Sequence, residues 1–189
     1  MFSTDTVHFI TILIHKERPM KLNQPIILCG YTSSGKTTIG TLLAGKLHYD
    51  FYDTDQMLIK QNQMTIPEIF AKGGEKLFRN LERKIVNQIC LLGSCVVSTG
   101  GGMLAIEENA HILSAHGLII YINRPFESCY QSLALHPERP LFQNHTKDEL
   151  AITYQKRADI YSKYAAFAIE NSRSPECAVM AIYDFLKTL

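Results

Sequence analysis

The chain carries almost no net charge: 19 Lys and Arg stand against 18 Asp and Glu, which leaves +1 with the histidines neutral. That balance argues against a bulk electrostatic partner, whether nucleic acid or an anionic membrane, and confines any basic chemistry to local clusters. No stretch approaches the ~18–20 consecutive apolar residues of a membrane-spanning helix. The five cysteines (Cys29, Cys90, Cys95, Cys129 and Cys177) contain no C-x-x-C pair and no zinc-like spacing with the histidines. They read as free thiols in a reducing cytosol, and the protein as cytoplasmic. Internal repeats, linkers and low-complexity segments are also missing. What is present is an ordinary composition, 46% hydrophobic and 20% charged over 189 residues. That suffices for one domain with a real core.

Residues 1–21 do not fit the rest. Residues 7–14 are apolar but lack the basic start and small-residue cleavage site of a signal peptide. Either translation begins at Met20, or the segment is an arm or an extra edge strand. Residues 22–189 are expected to form the single domain.

In that domain strand and helix alternate, the pattern of a parallel α/β sheet. Short apolar runs predict strands at 25–29, 50–53, 95–98, 118–122 and 166–170. Ile39, Leu42, Leu43 and Leu47 lie at helical spacing after the first. Thr65 and Glu68 read as a capping box that opens a short helix ending at Gly73-Gly74. A long helix over about 75–91 carries Phe78, Leu81, Ile85, Ile89 and Leu92 as its core stripe. Thr146 and Glu149 make a second capping box, and Pro175 opens the last helix at its favoured first position. The prolines at 137 and 140 forbid helix there and leave a loop of about ten residues.

The chain is organised around Gly30-Tyr31-Thr32-Ser33-Ser34-Gly35-Lys36-Thr37-Thr38, which fits the phosphate-binding pattern G-x-x-x-x-G-K-[ST]. An apolar strand precedes it and a helix follows, as the motif requires. Backbone N–H groups over residues 33–38 would face the phosphates, with the positive end of the helix beneath them. Lys36 would reach the terminal phosphates, and the Thr37 hydroxyl would ligate Mg²⁺.

Ligands of open parallel sheets bind at the carboxyl ends of the strands. Strand two ends in Asp53-Thr54-Asp55. Phosphoryl transfer calls for one carboxylate near the metal and one at the attacking hydroxyl. Strand three ends without an Asp, so Asp53 is the better candidate near the metal. The alternative is that this pair merely caps the next helix. Arg79 shares a helix face with Glu75 and Glu82. The three form either a held guanidinium suited to carboxylate or phosphate, or a surface ion-pair cluster. Gly100-Gly101-Gly102 lets backbone approach a ligand with N–H groups free, unless it is a plain turn. Arg139, in the loop, suits a lid that neutralises charge, unless the loop is ordinary basic surface.

Taken in order, these residues resemble shikimate kinases over nearly all of residues 22–189. The resemblance rests on the P-loop with Lys36-Thr37, Asp53-x-Asp55, Phe78-Arg79-x-x-Glu82, Gly100-Gly101-Gly102, Arg139-Pro140-Leu141, and Lys156-Arg157-Ala158 followed by Tyr161. It implies an α/β fold of the P-loop NTPase type. This is a three-layer sandwich with a five-stranded parallel sheet, helices on both faces and a mobile lid at about 136–147. It also implies an ATP- and Mg²⁺-dependent kinase that phosphorylates the 3-hydroxyl of shikimate in aromatic amino acid biosynthesis. On the same resemblance Asp55 binds and activates the substrate hydroxyl, while Arg79 and Arg157 grip the carboxylate. Gly100, Gly101 and Gly102 support the ring. Asp53 and Thr37 act through Mg²⁺, Lys36 and Arg139 stabilise phosphate charge, and Arg173 lies near adenine. Three departures stand out: Ser33 occupies a position usually held by glycine, Asn80 one where a second Arg is common, and the segment before Met20 lies outside the pattern.

Three rival readings remain. A gluconate-type kinase shares the P-loop and lid but would not be expected to carry the Arg79, glycine-triplet and Arg157 set. A nucleotide-binding module without catalysis has no need of Asp55. A nucleic-acid NTPase is disfavoured by the missing basic excess. The expected partner is a small molecule, and the expected state a monomer.

Overall fold

A computed structural model describes residues 22–135 and 145–189. The expectations for residues 1–21, for Arg139 and for most of the loop around it lie outside the described residues. Five strands form one sheet: β1 (Ile26–Cys29), β2 (Asp50–Asp53), β3 (Cys95–Ser98), β4 (Leu118–Asn123) and β5 (Phe167–Glu170). Their order is β2-β3-β1-β4-β5 and every pairing is parallel. Seven α-helices accompany them among the described residues: α1 (Lys36–Leu47), α2 (Thr54–Asn62), α3 (Ile66–Ile89), α4 (Glu107–His116), α5 (Phe126–Ala134), α6 (Lys147–Tyr164) and α7 (Pro175–Leu186).

The near-continuous apolar runs of β1, β3 and β4 are the mark of strands buried on both faces. Side chains alternate across a strand, so β1 feeds two cores. Ile27 and Cys29 join Phe78, Leu81, Ile85 and Ile89 of α3, Leu113 of α4 and Tyr161 of α6. Ile26 and Leu28 join Ile39, Leu43 and Leu47 of α1 and Val179, Ile182 and Leu186 of α7. The three expected layers follow.

The local signals behave as read. Thr65 and Glu68 form a reciprocal capping box, as do Thr146 and Glu149, and Ser174 caps α7 with Pro175 in its first turn. Helix α3 breaks at Gly73-Gly74, where Gly74 takes φ +60°. Leu42 corrects the expected stripe of α1, for it is 39% exposed. The buried face is centred instead on Gly40, whose bare backbone lies against Phe51; a Cβ there would sit 2.6 Å from that ring. Leu42 then falls on the far side of the helix.

Candidate active site

The P-loop leaves β1, the central strand, and turns into α1 at Gly35, whose φ of +96° suits glycine. Lys36 is buried, and its Nζ donates to the carbonyls of Gly30 (2.9 Å) and Tyr31 (2.8 Å). Burial pulls its ammonium down to about 8, against the opposing pull of Asp55 and Asp53. Ser34 is buried, while Thr37 and Thr38 are exposed on the first turn of α1. Ser33 takes φ +63°. A side chain in that left-handed conformation costs about 1–2 kcal/mol, which gives the usual glycine its reason. Ser33→Gly is expected to stabilise the chain by about 0.5–1 kcal/mol, the strain relieved less the entropy a glycine adds to the unfolded chain. Thermal unfolding should show a midpoint about 1–4 °C higher. A lower midpoint would show that the serine is not strained.

Asp53 caps the next helix, the alternative considered for it, and also touches the P-loop helix. One carboxylate oxygen caps α2, accepting from the N–H of Asp55 (3.0 Å) and Gln56 (3.3 Å). The other accepts from the Thr37 hydroxyl at 3.0 Å. Asp53 is level with Ser98 in the β2–β3 register, and the Ser98 hydroxyl lies 3.5 Å from that of Thr37. The carboxylate beside the Thr37 hydroxyl thus comes from β2, the strand next out from β3.

The glycine triplet follows β3 and is the meeting point of the site. A Cβ on Gly100 would lie 2.5 Å from a carboxylate oxygen of Asp55. One on Gly101 would lie 2.7 Å from the hydroxyl of Thr32 in the P-loop. One on Gly102 would lie 3.2 Å from the Arg79 guanidinium and 3.9 Å from that of Arg157. The absent side chains therefore let the carboxylate, the phosphate loop and both arginines close on one rim, and a plain turn would need none of this. The expectation of free N–H groups is corrected at Gly100, whose N–H donates to the buried Thr54 hydroxyl at 2.8 Å. Thr54 is spent on holding the turn.

Arg79 is held as its spacing allows. Its guanidinium donates to Glu75 at 3.1 and 3.2 Å and to Glu82 at 2.5 Å. Glu82 is 1% exposed, so the group is more than a surface cluster. Burial raises the Glu82 carboxyl above its ordinary range despite Arg79, whereas Arg79 itself is raised because its two glutamates outweigh its own burial. The nearly complete burial of Glu82 offsets most of the attraction, so the pair contributes little net stability. Arg157 donates to the Gly101 carbonyl at 2.9 Å, as does the Tyr161 hydroxyl at 2.7 Å, and the Tyr31 ring lies under the guanidinium. Tyr161, one turn beyond Arg157 on α6, carried that signal in its i+4 spacing.

Three further residues had no motif to announce them. Asn171 donates to the Ser34 carbonyl at 2.8 Å and Arg124 to the Ser33 carbonyl at 2.8 Å. Tyr154 places its hydroxyl 3.1 Å from the Arg124 carbonyl. Arg124 and Asn171 both follow strand ends, the one hint available. Arg173, two residues beyond Asn171, lines a cleft of about 380 Å³ with Ile169, Ser172 and Cys177. All five cysteines are free, and no helix among the described residues is long and apolar enough to cross a membrane.

The chain matches the family model for shikimate kinase over residues 32–187. It is 36% identical to the shikimate kinase of Aquifex aeolicus, over 83% of this chain and 92% of that one. The solved shikimate kinase from Acinetobacter baumannii, in complex with shikimate, superposes with a TM-score of 0.83 at 29% identity, covering 89% of this chain and 96% of that one. A gluconokinase from Sinorhizobium meliloti superposes at 0.63 with 12% identity, over 89% of this chain and 94% of that one, a likeness of fold alone.

Proposed function

Because the chain belongs to the shikimate kinase family, we infer that it transfers the γ-phosphoryl group of ATP to the 3-hydroxyl of shikimate. The observation that carries this reading is the convergence at the glycine triplet. A carboxylate stands at Gly100, the phosphate loop at Gly101, and two guanidinium groups at Gly102. Shikimate is a small polyol carboxylate. Two arginines match its anionic group and a carboxylate matches a hydroxyl.

In this reading Arg79 and Arg157 bind the substrate carboxylate. The Glu75–Glu82 brace and the Gly101 carbonyl fix where the two guanidinium groups sit, which lowers the cost of orienting the substrate. The backbone of Gly101 and Gly102 supports the ring. Asp55 orients the 3-hydroxyl and takes its proton as the bond to phosphorus forms. Lys36 leaves its loop carbonyls for the phosphates, joined by N–H groups of residue 33 and residues 35–38; the expected Ser34 N–H is instead committed to the Tyr31 carbonyl at 3.1 Å. Arg139 adds a second positive charge, and Arg173 flanks the base. Thr37 and the Asp53 oxygen that accepts from its hydroxyl would hold Mg²⁺, a hard ion commonly held by one or two carboxylates and substrate phosphates. Bound there, the ion supplies charge neutralisation on the phosphates. The protein acts as a cytoplasmic monomer, with residues 22–189 as one domain.

The test is ADP release measured with shikimate, gluconate or no acceptor. Release that depends on shikimate alone is expected; release with gluconate instead would discard the substrate.

A proton-linked result follows from Lys36. Its folded pKa of about 8 lies below the ordinary 10.5. Between those values the folded chain holds fewer protons than the unfolded one, so this group adds stability as pH rises through that window. Phosphates beside Nζ push its pKa back up. ATP binding should therefore take up about three quarters of a proton at about pH 8.5 and about a tenth at about pH 7. Calorimetry in two buffers of different ionisation enthalpy measures this, and equal uptake at both pH values would refute it.

A further inference from the structure

A phosphate loop turns successive N–H groups inward, which leaves carbonyls facing outward and in need of donors. Here those donors are identifiable. The N–H of Ser34 serves Tyr31, the N–H of Ile39 serves Gly35, and Asn171 serves Ser34. The carbonyl of Ser33, the one P-loop residue outside glycine with positive φ, is served by Arg124 from the end of β4 at 2.8 Å. Arg124 is half-buried and is placed in turn by Tyr154, whose hydroxyl lies 3.1 Å from its carbonyl and 3.0 Å from the Asn123 side chain. The Asn123 carbonyl accepts from the N–H of Asn171 at 2.7 Å, so the two donors to the outer side of the loop are tied together.

We propose that Arg124 is a positioning residue for ATP, holding the serine-bearing P-loop in its phosphate-binding conformation by fixing the strained Ser33 peptide. A glycine at that position would hold the turn without strain, and a serine needs an external partner to keep the turn populated. The charged donor is the stronger kind of hydrogen bond for that purpose. Substrate binding runs through Arg79 and Arg157, on other elements, and does not draw on this contact.

The proposal rests on the reading of the loop as the ATP phosphate site. Shikimate-dependent ADP release by the parent chain checks that reading first, so its failure is seen separately. Arg124→Ala is expected to raise the KM for ATP ~10-fold, the scale of one charged hydrogen bond, with the KM for shikimate within about twofold. Adding Ser33→Gly to Arg124→Ala is expected to restore most of the lost ATP affinity, because the loop then holds its turn unaided. Arg124→Lys, which keeps one charged donor, should fall between parent and alanine variant. If Arg124→Ala does not fold, Arg124→Lys with and without Ser33→Gly gives the same comparison. An unchanged ATP KM, or a raised one that Ser33→Gly does not lower, would overturn the proposal; the second outcome would mean that Arg124 touches the nucleotide itself.

Discussion

Asp55→Asn should lower turnover by about 10² or more while leaving ATP affinity near that of the parent. The substitution keeps the shape of the side chain and removes its ability to accept a proton. Shape matters here because the carboxylate lies against Gly100 in the first turn of α2, where its own N–H is capped by Asp53. An asparagine fits the same space, so a loss of turnover reports chemistry rather than collapse of the rim. Asp55 also supports the Lys36 ammonium, and removing its charge lowers the Lys36 pKa further. The comparison is therefore best made at pH 7 or below, where Lys36 remains largely protonated in both proteins. Steady-state rates with ATP and shikimate each varied would separate the two effects. Unchanged turnover would remove Asp55 from the proton transfer.

Arg79→Ala should raise the KM for shikimate far more than that for ATP, and it should also destabilise the fold. The second effect arises because Glu82 would remain, nearly fully buried and without its partner. Breaking such a pair costs about 3 kcal/mol, the low end of the usual range, because the Arg79 side chain itself is 30% exposed. The pH dependence identifies the cause. Burial already raises the Glu82 carboxyl, and loss of Arg79 raises it further. A raised folded-state pKa gives stability that is present below the unfolded value and is lost as pH rises through the folded one. The deficit of Arg79→Ala relative to the parent should thus shrink as the solution is taken from pH 7 towards the ordinary carboxyl range. Urea unfolding at both ends of that interval measures it, and a constant deficit would mean that Glu82 is not its source. Arg79→Lys keeps a cation beside Glu82 but loses the planar fork. It should restore much of the stability and little of the shikimate affinity, and equal recovery of both would contradict a carboxylate-gripping role.

Much of this protein was legible as text because the relevant physics is local. A turn that points N–H groups at phosphate needs glycines at set intervals, and a strand buried on both faces needs an apolar run. Capping boxes are written within four residues, so Thr65–Glu68 and Thr146–Glu149 could be read before any packing was known. The break at Gly73-Gly74 was equally local. Spacing also grouped Arg79 with its two glutamates, but it left open whether the group was a site or a surface cluster. Burial shows that it is more than a surface cluster, since Glu82 is 1% exposed in the fold.

The tertiary structure settled what depends on two segments meeting. It assigned Asp53 a helix cap with one oxygen and Thr37 with the other. It turned the glycine triplet from a flexible stretch into the place where Asp55, Thr32, Arg79 and Arg157 come together. It corrected Leu42, because the rotation of α1 follows the Gly40–Phe51 contact and not the count of apolar residues. It added Arg124 and Asn171, which hold outward-facing carbonyls of a loop about ninety and about one hundred and forty residues earlier in the chain. By itself the sequence determined the elements, the phosphate loop and the types of side chain at the sheet's rim, since each obeys a period or a short spacing. Which of those side chains touch, and which oxygen of a carboxylate is already committed, was decided by the fold, because the parallel crossovers place far-separated strand ends side by side.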